Sequence, residues 1–182
     1  MGRMKQKFWW VLSLLVLLGA GTGAQAPGAE VKATVYVFLA DTCPISQTAT
    51  LTLRELHAAY AGRGIRFVGL FPDAQTRPAD IILFGKRYKV PFPLRSDEKQ
   101  RLARRFQARI TPEVVVAAAD DQTVLYQGRI DDSYVRLGQR RLVTGHQELR
   151  DALAAIVAGR PVPVARTEAV GCYISFLSPL QR

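Results

Sequence analysis

Two histidines and two cysteines are all that the 182 residues hold of the side chains that most often bind transition metals. His57, His146, Cys43 and Cys172 are scattered, with no pair at zinc or iron–sulfur spacing, which argues against a structural metal site. No glycine-rich phosphate loop and no serine nucleophile elbow occurs, so nucleotide and hydrolase readings drop out. Internal repeats and low-complexity tracts are absent, and after residue 20 there is no long apolar run. Acidic residues are short against basic ones, 15 to 25, leaving a formal net charge of +10.

The early apolar run decides the compartment. Arg3, Lys5 and Lys7 precede residues 8–20, and the small-residue stretch GTGAQA follows, which is the order of an export signal. Its 13 residues fall short of the ~20 that a spanning helix needs. Residues 1–26 therefore read as a signal peptide. Cleavage after Ala24 fits as well as cleavage after Ala26, since Pro27 follows the latter bond, and an uncleaved segment would tether the chain to a membrane. The remainder is placed outside the cytoplasm, periplasmic or extracellular, as one domain over 27–161 with a C-terminal tail, 162–182, that returns to it.

Nine basic residues fall between Lys86 and Arg109 against Asp97 and Glu98 alone, with Tyr88, Phe92 and Phe106 interleaved. That mixture occurs in single-strand nucleic-acid binders, but an exported chain with no nucleic-acid module is better served by a solvated helix face. No nucleic-acid partner is expected, and anionic lipid or an acidic partner is the remaining alternative.

Periodicity gives the order of elements. Residues 32–40 read as a buried strand, and the stretch after it, with Leu53, Leu56 and Tyr60 near helical spacing, as a helix stopped by Gly62 and Gly64. Residues 65–71 form a second strand. Residues 79–88 and 98–106 are helical candidates around Pro91 and Pro93, and Thr111 and Pro112 open a third strand over 113–119. Asp120 and Asp121 turn into a fourth over 123–130, and a last helix covers 147–157. A strand–helix–strand unit followed by a hairpin implies a mixed sheet with helices on both faces, an α/β architecture. Its reactive group is expected just past the carboxyl end of a strand, where Cys43 lies in Asp41-Thr42-Cys43-Pro44.

A thiolate at a helix start receives unpaired backbone N–H groups and the positive end of the helix dipole, which lower a cysteine pKa from ~8.5 into a range of roughly 3.5 to 7.5. Pro44 suits the first turn because its missing N–H would have been an orphan. A pKa near ~6 raises the thiolate fraction at pH 7 about thirtyfold, while intrinsic nucleophilicity drops roughly ten- to twentyfold, so the main gain is a better leaving group. Thr42 is a candidate hydroxyl donor to that thiolate, and Asp131 and Asp132 are either site residues or a solvated turn. His57, about 13 residues into the helix, is roughly 20 Å along the axis, too far to act as general base.

The Asp41-Thr42-Cys43-Pro44 strand end, the helix after it, Ile110-Thr111-Pro112 and the hairpin ending in Gly128-Arg129-Ile130-Asp131-Asp132 resemble the thioredoxin superfamily. Within it they are most similar to the peroxiredoxin-like redoxins of the alkyl-hydroperoxide-reductase/thiol-specific-antioxidant group. The resemblance spans roughly residues 32–175, and some members of that branch share a C-terminal Gly-Cys like Gly171-Cys172. It implies a thioredoxin-like fold, a cis Thr111–Pro112 bond facing the reactive cysteine, and a thiol oxidoreductase acting on protein disulfides or peroxides. An external thiol or reductase would supply electrons, and no cofactor would be needed. Two departures stand out: Ser46 sits where thioredoxin-like relatives carry a second cysteine, and the proline and threonine that peroxiredoxins place upstream are missing.

Two readings of function stay open. In one, Cys43 attacks substrate and Cys172, absent from the CxxC position, resolves the adduct or pairs with it, Gly171 letting the tail backbone approach another segment closely. In the other, the chain is a binding module whose cysteines are inert or form a structural bridge, or a copper-handling protein with Cys172 as second sulfur and His146 as the histidine ligand. Cys172 as a small buried hydrophobe of an apolar tail is the plain alternative.

Overall fold

The computed structural model describes residues 30–178, so the signal-peptide reading of residues 1–26 lies outside the described residues, as does the end of the tail. Strand β1, Ala33–Phe38, is buried along its whole length, as a continuous apolar run at the middle of a covered sheet requires. It pairs in parallel with β2, Ile65–Phe71, and antiparallel with β5, Glu113–Ala118. Strands β3, Leu94–Ser96, and β6, Val124–Gly128, complete the five-stranded order β3-β2-β1-β5-β6. Two short antiparallel pairs lie outside that sheet. Strand β4, Ile110–Thr111, pairs with β9, Cys172–Tyr173, and β7, Tyr134–Arg136, pairs with β8, Gln139–Arg140.

Alternation along β1 divides the core in two. Val35 and Val37 face helix α1, Pro44–Tyr60, helix α2, Pro78–Arg87, and helix α4, Glu148–Val157, in a cluster with Leu53, Leu56, Phe84, Leu149 and Leu153. Tyr36 and Phe38 face the other way, toward helix α3, Arg101–Arg105, and meet Ala103, Phe106 and Ile174. Ile174 belongs to the C-terminal tail, so the tail closes the second layer rather than trailing from it. The result is an α/β mixed sheet with helices on both faces, the thioredoxin-like arrangement.

Several local expectations shift. Helix α3 starts at Arg101 instead of residue 98, because Gln100 adopts a left-handed φ of 54° and Asp97 turns its carboxylate onto the N–H groups of Leu102 and Ala103, at 3.2 and 2.9 Å. Strand β3 lies in the proline stretch that carried no strand signal. Gly69 of β2 makes room for it, since a Cβ there would sit 2.4 Å from the Leu94 side chain. The β7–β8 hairpin is a further element that periodicity does not announce.

Candidate active site

Cys43 is the N-cap of α1 and Pro44 its first residue, so the sulfur occupies the place where a capping oxygen would accept the N–H groups of the first turn. Burial alone pushes the Cys43 thiol up. The Cys172 thiol, which donates to the sulfur, together with the neighbouring Ser46 N–H and hydroxyl and the Ile45 N–H, outweighs burial, and the Cys43 pKa lies below the ordinary thiol value. The Cys43 residue is only 1% exposed, and as a thiol it donates to the carbonyl of Thr111 at 3.2 Å. The Thr111–Pro112 bond is cis, and Pro112 is buried.

Cys172 arrives from the other end of the chain. In the β4–β9 pair Cys172 faces Thr111, whose hydroxyl donates to the Cys172 carbonyl at 3.3 Å. Gly171 makes this possible: a Cβ there would lie 2.1 Å from the Thr111 oxygen, a distance that no backbone tolerates. The two sulfurs stand 2.9 Å apart as free thiols, with Cys172 donating to Cys43. Burial, that hydrogen bond and the charge of Cys43 together push the Cys172 thiol up to about 11.

The tail is fastened on both sides of Cys172. Upstream, Gln127 N–H donates to Ala165 O at 2.9 Å and Thr167 N–H to Gln127 O at 3.0 Å, so residues 165–167 run along β6. Downstream, the fully buried Gln100 amide donates to Ser175 O at 2.7 Å and to Pro72 O at 3.1 Å, and accepts the Leu177 N–H at 2.7 Å. Arg104 adds a bond to Leu177 O at 2.6 Å and lies 4.8 Å from the centre of the Phe176 ring. Under β4, the buried Glu113 carboxylate accepts the N–H groups of Arg109 and Ile110 at 2.8 and 3.2 Å and the Gln127 amide at 2.8 Å. That network sets the loop that presents Thr111.

Of the sequence candidates, Cys43, Cys172 and Pro112 come together on adjoining segments. Thr42 does not join them: it is exposed, and the hydroxyl acting on the Cys43 sulfur belongs to Ser46, which also accepts the Ala40 N–H at 3.3 Å. Ser46 stands three residues after the N-cap, so its N–H and side chain fall on the first helical turn beside Cys43, a signal present in the sequence. Asp131 accepts the Thr52 hydroxyl at 3.4 Å, and Asp132 accepts the N–H groups of Gly145 and His146 at 2.8 and 3.0 Å, so both brace a loop rather than the sulfurs. His57 packs against Phe67 and Phe92, ring centres 5.5 and 5.8 Å away. Among the described residues, no three His, Cys, Asp or Glu side chains gather as metal ligands, and no helix is long and apolar enough to cross a membrane.

Thiolate absorbance followed against pH is expected to show two steps. The Cys43 step comes below the free-thiol range, since a lowered pKa keeps the thiolate populated at lower pH, and the Cys172 step near 11. Ser46→Ala should move the first step up by removing one donor, and Thr42→Val should leave it in place; the reverse pattern would return the hydroxyl role to Thr42.

Residues 24–129, more than half of the chain, match the family model described as AhpC/TSA family. No curated protein matches. Among solved structures, an uncharacterized conserved protein from Geobacillus kaustophilus is 30% identical, with a TM-score of 0.71 over 84% of this chain and 80% of its own. A hypothetical protein from Sinorhizobium meliloti is 27% identical, with a TM-score of 0.71 over 82% of each chain. The dsbF protein of Mycobacterium tuberculosis, in mixed oxidized and reduced forms, is 19% identical with a TM-score of 0.53 over 70% of this chain and 82% of its own, a likeness of fold.

Proposed function

The chain belongs to the AhpC/TSA family, and from that membership, which points to thiol–disulfide oxidoreductase activity, we propose an exported enzyme in which Cys43 and Cys172 cycle between dithiol and disulfide. The observation that carries the reading is the approach of the two sulfurs to 2.9 Å across 129 residues of sequence, with one pKa lowered and the other raised. The Cys43 thiolate attacks a substrate disulfide R–S–S–R′, forming Cys43–S–S–R and releasing R′–S⁻. At that point the charge and the hydrogen bond that held the Cys172 proton are gone, leaving burial alone to raise its pKa. Cys172 then loses its proton and attacks the Cys43 sulfur, releasing R–S⁻ and closing the Cys43–Cys172 bond. The substrate has gained two electrons and the enzyme has lost two, and an external thiol or dithiol reductase restores the pair.

A disulfide is favoured over a peroxide as substrate by the make-up of the site. The proline and threonine that peroxiredoxins set upstream of the reactive cysteine are missing here, and the partner poised at Cys43 is a second thiol, Cys172, at 2.9 Å. Export, with a periplasmic or extracellular location, is supported by the basic and apolar order of residues 3–26.

Reduced protein mixed with a neutral peptide disulfide is expected to release two peptide thiols per chain and to yield one Cys43–Cys172 link on non-reducing peptide mapping. Failure to form that link would end the dithiol reading. In parallel, hydrogen peroxide should react no faster than with an ordinary thiolate, and a stopped-flow burst orders of magnitude quicker would reassign the substrate.

A further inference from the structure

Two cavities flank α1 and share the side chains of Thr48 and Leu51, so they form one groove across the first two turns beyond Cys43. One end, about 70 Å³, is bounded by Pro112 and Val170 on the side of the sulfurs and by Tyr134 and Arg140 of the β7–β8 hairpin. The other end, about 410 Å³, runs between Arg54 of α1 and Arg87 and Lys89 at the end of α2. Between the two ends Leu51 stands 58% exposed and offers an apolar contact.

The charge of this groove is one-sided. Among the described residues, the ion pairs are Arg77–Asp80, Arg129–Glu148, Arg141–Asp132 and Arg150–Glu55, and none of them uses Arg54, Arg87, Lys89 or Arg140. Arg87 and Arg140 lie 5.7 and 5.9 Å from the ring centres of Tyr88 and Tyr134, contacts that orient a guanidinium without neutralising it. One acid lines the groove, Asp131, and its oxygens are already committed to Ser133 and Thr52. Four cations outside any ion pair, against the single Asp131 carboxylate, around an exposed leucine and next to the Cys43–Cys172 pair, are the complement of an acidic segment with an apolar residue in it.

We propose that this groove docks an acidic segment of a partner protein, flanking the thiol or disulfide that exchanges with Cys43 and Cys172. The proposal rests on the exchange reading above and adds the class of substrate. Charge complementarity at such a surface acts on the encounter rate, which opposite charges raise by tenfold or more at low ionic strength, and it fades as salt shortens the reach of each charge.

The test uses the full chain and three peptides, each carrying one cysteine as a mixed disulfide with a chromogenic aryl thiol, and flanked by Glu-Leu-Asp, Lys-Leu-Lys or neutral residues. At low salt the acidic peptide is expected to react about tenfold or more faster than the basic one, with the ratio falling toward one in high salt. The double variant Arg54→Glu with Arg87→Glu should invert the order. Equal rates in the wild type, or a ratio that the double variant leaves unmoved, would overturn the proposal. So would inhibition by phosphatidylglycerol vesicles with no preference among the peptides, which would give the groove to lipid. A neutral peptide that exchanges while the acidic one shows no advantage removes only the docking surface. If none of the three exchanges, the dithiol reading and this proposal fall together.

Discussion

Gly171→Ala is expected to part the two sulfurs while leaving the five-stranded sheet folded. The added methyl would fall 2.1 Å from the Thr111 oxygen and 3.0 Å from the Ile110 side chain, both on the strand that β9 must meet. The tail therefore has to retreat, and with it go the Thr111 hydroxyl bond to Cys172 and the sulfur contact. A steric conflict of this kind costs about 2 kcal/mol, which is roughly thirtyfold in the docking equilibrium constant. Disulfide closure in the reduced protein should slow by up to that factor, and the Cys43 absorbance step should move up in pH because its thiol donor is lost. Far-ultraviolet circular dichroism should stay close to the wild type, since Gly171 lies outside the central sheet. Closure at the wild-type rate would mean that the tail reaches Cys43 without the β4–β9 pairing.

The second large effect is expected at Cys172 itself. With Cys172→Ser, the mixed disulfide on Cys43 has no internal attacker and must wait for a thiol from solution. Intramolecular delivery is worth orders of magnitude over a millimolar external thiol, so turnover should fall by roughly a hundredfold or more. The adduct should also accumulate as a mass shift on the Cys43 peptide. Comparing serine with alanine separates two contributions. A serine hydroxyl can still donate to the Cys43 thiolate, whereas alanine cannot, so Cys172→Ala should raise the Cys43 pKa as well as stall resolution. Unchanged turnover in both variants would show Cys43 working with an external thiol alone.

The parts of this site that could be read in the sequence are those fixed by local rules. A continuous apolar stretch with covered neighbours gave β1, and the Cys-Pro pair beyond its end gave a helix start with Cys43 at the N-cap. Gly171 was readable because only a missing side chain explains a glycine directly before the second cysteine of a returning tail. What escaped depended on backbone conformation and side-chain geometry that hydrophobic spacing does not carry. Helix α3 was placed three residues early because its start is decided by the Asp97 carboxylate and the φ of 54° at Gln100, neither of which shows in hydrophobic spacing. Strand β3 is an edge of three residues ordered by the clearance at Gly69, too short for a period to register. Thr42 was chosen for adjacency to Cys43, whereas helical geometry carries Ser46, three residues on, back to the sulfur.

In a CxxC motif the spacing of two sulfurs is settled by one turn of helix. Here the second sulfur arrives on its own strand, with Gln100 gripping the chain at Ser175 and Leu177 just beyond it. Its effective concentration at Cys43 is therefore a property of the docking equilibrium of the tail, not of the motif. Every ~1.4 kcal/mol taken from that dock, by loosening the Gln100 amide or the Arg104 bond to Leu177, lowers the docking equilibrium constant tenfold, and the poised fraction follows once the undocked tail dominates. In the proposed dithiol cycle, the rate of disulfide closure can thus be tuned by residues that touch neither cysteine, through the occupancy of a strand rather than the reactivity of a thiol.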